Sequence, residues 1–226
     1  GDQIIPVNVT GKEYIVLKGS LADNEFAYVM ATENNTKVFL SGINVPVKTL
    51  NAGQYYRVDV TLLAVYIKTD KPVYVLHVTG FGCEVAMAVL PPVTCTGSKQ
   101  IAFTRSTNEF FEMNILVKKE GIYFFKLNGS SNLITPNKFI PVPGTNDEWY
   151  SAQIPFTTAQ IPDGEASVIS NDQFSFQAGI LNGNAGTTNR YGFFSSFSTL
   201  FIGDDFSICN DQTAMLDAGP GKETYL

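Results

Sequence analysis

The sequence predicts an all-β fold of two tandem β-sandwich modules, jelly-roll or Ig-like, related by internal duplication. Three observations carry that expectation. Apolar and polar residues alternate with period two, turn-forming residues recur between the runs, and one half of the chain repeats the other.

Alternation is clearest where Tyr56, Val58 and Val60 oppose Tyr55, Arg57 and Asp59. Phe111, Met113, Ile115 and Val117 share one face, with Glu112 and Asn114 pointing away. Phe174, Phe176, Ala178 and Ile180 stand likewise against Ser175 and Gln177. Around Val73 to Val78 both faces are apolar, the pattern of a central strand covered on each side. No window of a dozen residues sustains a helical period, although Glu84 to Val89 admits a short helical turn. Turn chemistry separates the runs at Asn34-Asn35, Asn51-Ala52-Gly53, Asp70-Lys71-Pro72, Asn128-Gly129, Asp163-Gly164 and Asn182-Gly183.

Self-similarity links residues 10–42 with residues 96–129. Each stretch opens on Thr-Gly and passes an apolar run. Each then reaches Asn-Glu-Phe, at 24–26 and again at 108–110, and closes on a turn of small residues. The spacing is too long for a solenoid repeat and suits one β-sandwich per copy. Pro91-Pro92 breaks any regular ladder and marks the boundary. The expected division is a first module over 1–94, a second over 95–207, and a linker or the start of a further Ig-like module over 208–226. The second module carries an insertion at 131–150, which contains the only Trp, Trp149.

Composition excludes several functions. A chain of 226 residues with 44% apolar content can bury a sizeable core. The longest apolar runs, 62–67 and 73–78, are far shorter than the ~20 residues of a membrane-spanning helix, so membrane insertion is not expected. A net charge of −6 with only 15 Lys and Arg argues against nucleic acid, whose affinity rests on phosphate neutralisation.

Catalytic templates also fail. The one histidine, His77, lies in the apolar run VYVLHV and reads as a hydrogen-bonded core or inter-module residue. It has no sequence context for a triad. Paired carboxylates remain formally open, since a sequence does not measure their separation. Most acids, among them Glu33, Asp70, Asp147 and Asp163, sit in turns. There is no phosphate-binding loop, dinucleotide fingerprint or nucleophile elbow. No cofactor is expected. Calcium is the one metal considered, with Asp204 and Asp205 as oxygen ligands. For binding, the exposed rim expected beside the aromatic cluster at 189–201 is Asn182, Asn184, Asn189 and Arg190, with Trp149 as a further contact residue. Cys83 and Cys95 close a short loop and read either as a disulfide or as two buried thiols.

Three motifs stand in order along the chain: a turn before an extended strand at Asn51 to Val60, Thr-x-Lys-Pro-Val at Thr69 to Val73, and Leu-Pro-Pro-Val at Leu90 to Val93. With the closing Tyr-Gly-Phe-Phe-Ser at 191–195, they resemble the N-terminal domain family of the IgGFc-binding protein. The resemblance covers roughly residues 10–205. Its bacterial members occur in large secreted surface proteins of the Bacteroidota, including gliding and adhesion proteins.

The resemblance implies an extracellular or cell-surface, noncatalytic module within a longer adhesin-like chain. It also implies that Cys83 pairs with Cys95, leaving Cys209 for a partner further along the chain or as a free thiol. The expected function is adhesion to a glycan or protein surface, with neighbouring modules of the same chain as partners. The alternatives are a ligand-free structural spacer and, last, a carboxylate-based glycoside hydrolase. The second module is the more elaborated and the first place to look for a site.

Overall fold

In a computed structural model, the described residues are 5–21, 25–82, 84–94, 96–186 and 189–195, with backbone alone at 199–201 and 207–209. They form strands β1 (Gly11–Leu17), β2 (Ser20–Leu21), β3 (Glu25–Ala31), β4 (Thr36–Leu40), β5 (Lys48–Leu50), β6 (Tyr55–Val60), β7 (Ala64–Gly82) and β8 (Glu84–Val89) in the first half. The second half contributes β9 (Gln100–Thr104), β10 (Phe110–Lys118), β11 (Phe125–Leu127), β12 (Ile140–Pro141), β13 (Trp149–Pro155), β14 (Ala166–Asn171), β15 (Phe176–Gly183) and β16 (Asn189–Phe194). Beyond them β17 (Thr199–Phe201) pairs antiparallel with β18 (Ser207–Cys209). Among the described residues the helical segments are short 3-10 turns, such as Lys119–Tyr123. The all-β class holds.

The first half is organised around β7, which serves two layers. Its opening stretch pairs with β1 and β4, and the stretch from Val73 onward pairs with β3 and β8. The change falls at Asp70-Lys71-Pro72, where the β1 register also shifts. A bend of this kind lets one strand pass from one packed sheet to the other. Between the layers lie Tyr14, Val16, Ala27, Val29, Val58 and Ile67, all almost fully buried.

In the second half, one sheet runs β12-β13-β10-β15-β16 and the other β11-β14-β9. Phe111, Met113, Ile115 and Val117 project from β10 into the core between them, against Phe125, Ile154 and Phe176. This is the face that the alternation in β10 assigns to the core.

One pairing scheme recurs in both halves. The opening stretch of β7 joins β1 to β4 as β14 joins β9 to β11. Likewise β3 lies between β6 and the later part of β7 as β10 lies between β13 and β15. In the structure β6 takes the place of β13, and β14 takes that of the first part of β7. Residues 131–148, with β12, have no counterpart in this pairing scheme, and Trp149 opens β13, the strand in the place of β6.

Two local expectations are corrected. Glu84–Val89 is the edge strand β8, not a helical turn, because Val85 and Met87 project to one side and its backbone pairs with β7. The strand at Val73–Val78 is not covered on both faces. Val73 and Val75 enter the core, while Tyr74 and Leu76 stay half-exposed on the opposite face. The loop from Val89 leaves its ladder before Pro91-Pro92, where proline cannot donate to a sheet.

Candidate functional site

The halves meet on the outer face of the β13-β10-β15 sheet. Glu112, Asn114 and Leu116 occupy that face, and the first half roofs it with the end of β1 and the residues after it. Leu116 packs with Ile15, Leu17, Ala64, Tyr66 and Val93. The Asn114 amide donates to the Lys18 carbonyl at 3.2 Å, and the Gln153 amide donates to the same oxygen. Gln177 Nε2 donates to the Pro92 carbonyl at 2.8 Å. Polar residues opposite an apolar strand face thus lie in a buried seam between the halves.

A titratable cluster sits in this seam. Glu25 and His77 are both 0% exposed. Glu25 accepts from the backbone N–H of Gly19 at 2.7 Å and of Leu21 at 2.9 Å, and lies 3.3 Å from His77 Nε2. His77 Nδ1 lies 3.0 Å from the Tyr191 hydroxyl, which joins the first half to the second. This is the core and inter-module role that the sequence assigns to His77. Burial pushes the Glu25 carboxyl up, but hydrogen bonds from His77, Gly19 and Leu21 outweigh it and leave the pKa below the ordinary value. Glu112 goes the other way. Burial, and then the nearby Glu25 charge, push it up to about 7 against the pull of the Ser20 hydroxyl.

The equivalent sheet face in the first half is open. Rows of paired residues cross β6, β3, β7 and β8: Tyr55–Met30–Tyr74, then Arg57–Tyr28–Leu76–Val89. Val85 and Met87 project from β8 onto the same face, and Asn189, Arg190 and Tyr191 of β16 form the far wall. Together they enclose a groove with a cavity volume of about 920 Å³. Tyr55 is 65% exposed, Met87 54% and Met30 39%. Tyr28 meets Tyr55 edge to face at 5.4 Å, which gives the groove floor a defined shape. Matched through the two Asn-Glu-Phe motifs, Tyr28 and Met30 stand where Glu112 and Asn114 stand in the second half.

The residues expected to form a rim are divided by the structure. Asn182 is not exposed. It is 2% accessible, and its Oδ1 accepts from the N–H groups of Ser106 and Thr107 while its Nδ2 donates to the Thr107 and Phe110 carbonyls. It ties down a turn, because a side-chain amide satisfies donors and acceptors that no strand reaches. Asn184 holds Glu109 and the Gly186 N–H. Asn189 and Arg190 do line the groove.

Trp149 lies elsewhere, in a polar cleft of about 440 Å³ at the seam, with Ser41, Asn44, Tyr66, Asn146, Glu13 and Glu148. There Glu13 pairs with Lys68 at 3.1 Å, and Glu148 pairs with Lys118 at 3.2 Å. Cys83, Cys95, Asp204, Asp205 and the tail from 210 lie outside the described residues, as does the side chain of Cys209.

Sequence reasoning missed the groove because it took an apolar outer face for a covered one. Met30 and Tyr55, apolar at positions where a solvated strand carries polar residues, were the available signal. No helix among the described residues is long and apolar enough to cross a membrane, and no group of three or more metal-ligating side chains occurs among them.

Comparison with known proteins adds one relationship. No curated protein matches the chain, and no solved structure does. The sequence model of one family, described as "IgGFc binding protein", matches residues 1–179, which takes in the whole first half and the second as far as β15. The open groove and the covered seam are therefore features of a chain that belongs to the IgGFc-binding family.

Proposed function

We propose that the chain is a noncatalytic binding module of a bacterial surface protein, working outside the cell, and that it takes a protein partner across the groove on β3, β6, β7 and β8. One observation supports this above the rest. The outer sheet face is roofed in the second half and open in the first, yet the open face is the more apolar of the two. An exposed apolar patch is a liability unless a partner covers it. Tyrosines and methionines are the side chains that serve such contacts, through large area and adaptable shape. Residues 1–94 and 95–207 act as two modules derived by duplication, with the seam holding them as one rigid unit.

The family's description names the Fc part of immunoglobulin, so Fc is a suitable probe alongside intact bacterial and host cells. Binding of labelled protein is compared between the wild type, Tyr55→Asp and Met87→Asp. At least one of these surfaces binds, and both substitutions weaken it about tenfold or more. Binding that neither substitution changes places the contact elsewhere. No binding to any of them supports the spacer reading.

A second reading, glycan recognition, is favoured by the polar cleft at Trp149, where amides and carboxylates surround an indole. Because Trp149 is the only Trp, sugar binding there alters the intrinsic fluorescence, and an unchanged emission across a panel of neutral sugars rejects it. The hydrolase reading loses support, because each of the two carboxylates in that cleft is tied to a lysine.

A further inference from the structure

We infer that Glu25, His77 and Glu112 form a proton-operated latch between the two halves, and that Tyr191 couples this latch to the groove. The coupling to binding rests on the groove being the binding site; the latch itself does not.

The cluster serves no packing need that apolar residues would not meet better, since buried charge is costly unless fully paired. It is also incompletely satisfied. Glu112 Oε1, Asn114 Oδ1 and Thr79 Oγ1 are buried without hydrogen-bond partners among the described residues. Each packed element presents its groups to the seam: Ser20 from β2, Glu25 from β3, His77 and Thr79 from β7, Glu112 and Asn114 from β10, and Tyr191 from β16. Among the described residues no lysine or arginine forms an ion pair with Glu25 or Glu112. Two carboxylates therefore share a buried seam with one imidazole.

One proton settles the arrangement. With Glu112 protonated, the seam holds the single negative charge of Glu25, which the Gly19 and Leu21 N–H groups and His77 accommodate. When Glu112 ionises, two like charges interact in low dielectric, and one carboxylate oxygen has no donor. Relief requires the Lys18–Leu21 crossing to lift or His77 to rearrange. His77 holds the hydroxyl of Tyr191, whose ring forms a groove wall. Loss of the Glu112 proton thus reaches the groove through two hydrogen-bonded side chains.

The test needs no partner. The chain contains a single histidine, so the imidazole carbon signal of ¹³C-labelled protein belongs to His77 alone, and the labelled methyls of Met30 and Met87 report the groove. Between pH 5 and 9 the His77 signal shifts as Glu112 ionises, and the Met87 methyl shifts with the same midpoint. Glu112→Gln removes the shared transition. Tyr191→Phe keeps it at His77 and removes it at Met87. A His77 signal that ignores pH in the wild type, or titrates identically in Glu112→Gln, overturns the latch. A Met87 methyl that does not follow His77 overturns the coupling. Where the groove also binds its partner, affinity at pH 8 is about fivefold weaker than at pH 6, and only this last measurement depends on the binding reading.

Discussion

Gly19 and Thr79 are packed so closely that a methyl group on Gly19 would lie 2.2 Å from Thr79 Oγ1 and 2.8 Å from Leu181 Cδ2. The glycine lets the chain between β1 and β2 lie flat on the second half, where its N–H also meets Glu25. Gly19→Ala therefore prises the seam. Overpacking of this kind costs about 1–3 kcal/mol, which urea denaturation measures as a lower midpoint.

Arg105 is a buried cation with no carboxylate in hydrogen-bond range among the described residues. It is 2% exposed, and its guanidinium donates to the carbonyls of Thr107, Phe156, Ile161, Asn108 and Glu109 while lying 5.4 Å over the Phe111 ring. A planar fork of five donors matches five carbonyls, and an ammonium does not. Arg105→Ala should destabilise the fold by about 3 kcal/mol or more, and Arg105→Lys should recover little of that. Thermal denaturation of the two variants distinguishes a role in geometry from one in charge alone.

Asn182 makes a similar case on a smaller scale. Replacing it with alanine leaves the Ser106 and Thr107 N–H groups without their acceptor, at a cost of about 1–3 kcal/mol. Asn184→Ala, which affects a more exposed loop, should cost well under half as much by the same measurement.

Stability depends on pH through Glu112. Its carboxyl rises from the ordinary 4.5 to about 7 in the folded chain, so the folded state holds this proton more tightly than the unfolded one. That contribution is fully present below about 4.5 and is lost as pH rises through about 7, amounting to about 3 kcal/mol over the window. Glu25 acts in the opposite sense. Its lowered pKa contributes stability above the ordinary carboxylate range, and acid removes it. Glu112→Gln should therefore lie above the wild type in melting temperature at pH 8 and converge with it below about pH 4.5. Equal melting temperatures at pH 8 reject the assignment.

The groove residues belong to the surface and not to the fold. Tyr55→Ser and Met87→Ser should change stability by no more than about 0.5 kcal/mol, while reducing the fluorescence of a bound hydrophobic dye. An unfolded variant, or undiminished dye fluorescence, contradicts an open apolar face.

The limits of legibility follow one pattern. In β10, alternation assigns Phe111, Met113, Ile115 and Val117 to the core, and there they lie. It sends Glu112 and Asn114 to the other side of the sheet, and that too is where they point. Alternation is silent on whether that other side meets water or another half of the chain, so the buried carboxyl at Glu112 was invisible. The opposite error arose at Tyr74 and Leu76, where two apolar faces suggested a doubly covered strand and one of them turned out to be the groove. Asn182 reads as a rim residue because amides favour loops. Its side-chain hydrogen bonds go to Ser106, Thr107 and Phe110, more than seventy residues away in sequence.

By itself, then, the sequence determined the β class, the core faces of the main strands, the break at the paired prolines and the inward place of His77. Each of these follows from local chemistry: side-chain period, proline's missing donor, and the cost of burying an imidazole without partners. Tertiary structure alone decided which outer sheet face is roofed and which is open, which carboxyl is pushed up by burial, and where Trp149 lies. Those outcomes depend on how one half lies across the other, and that contact is made between residues as far apart as Lys18 and Gln153, whose proximity no local pattern encodes.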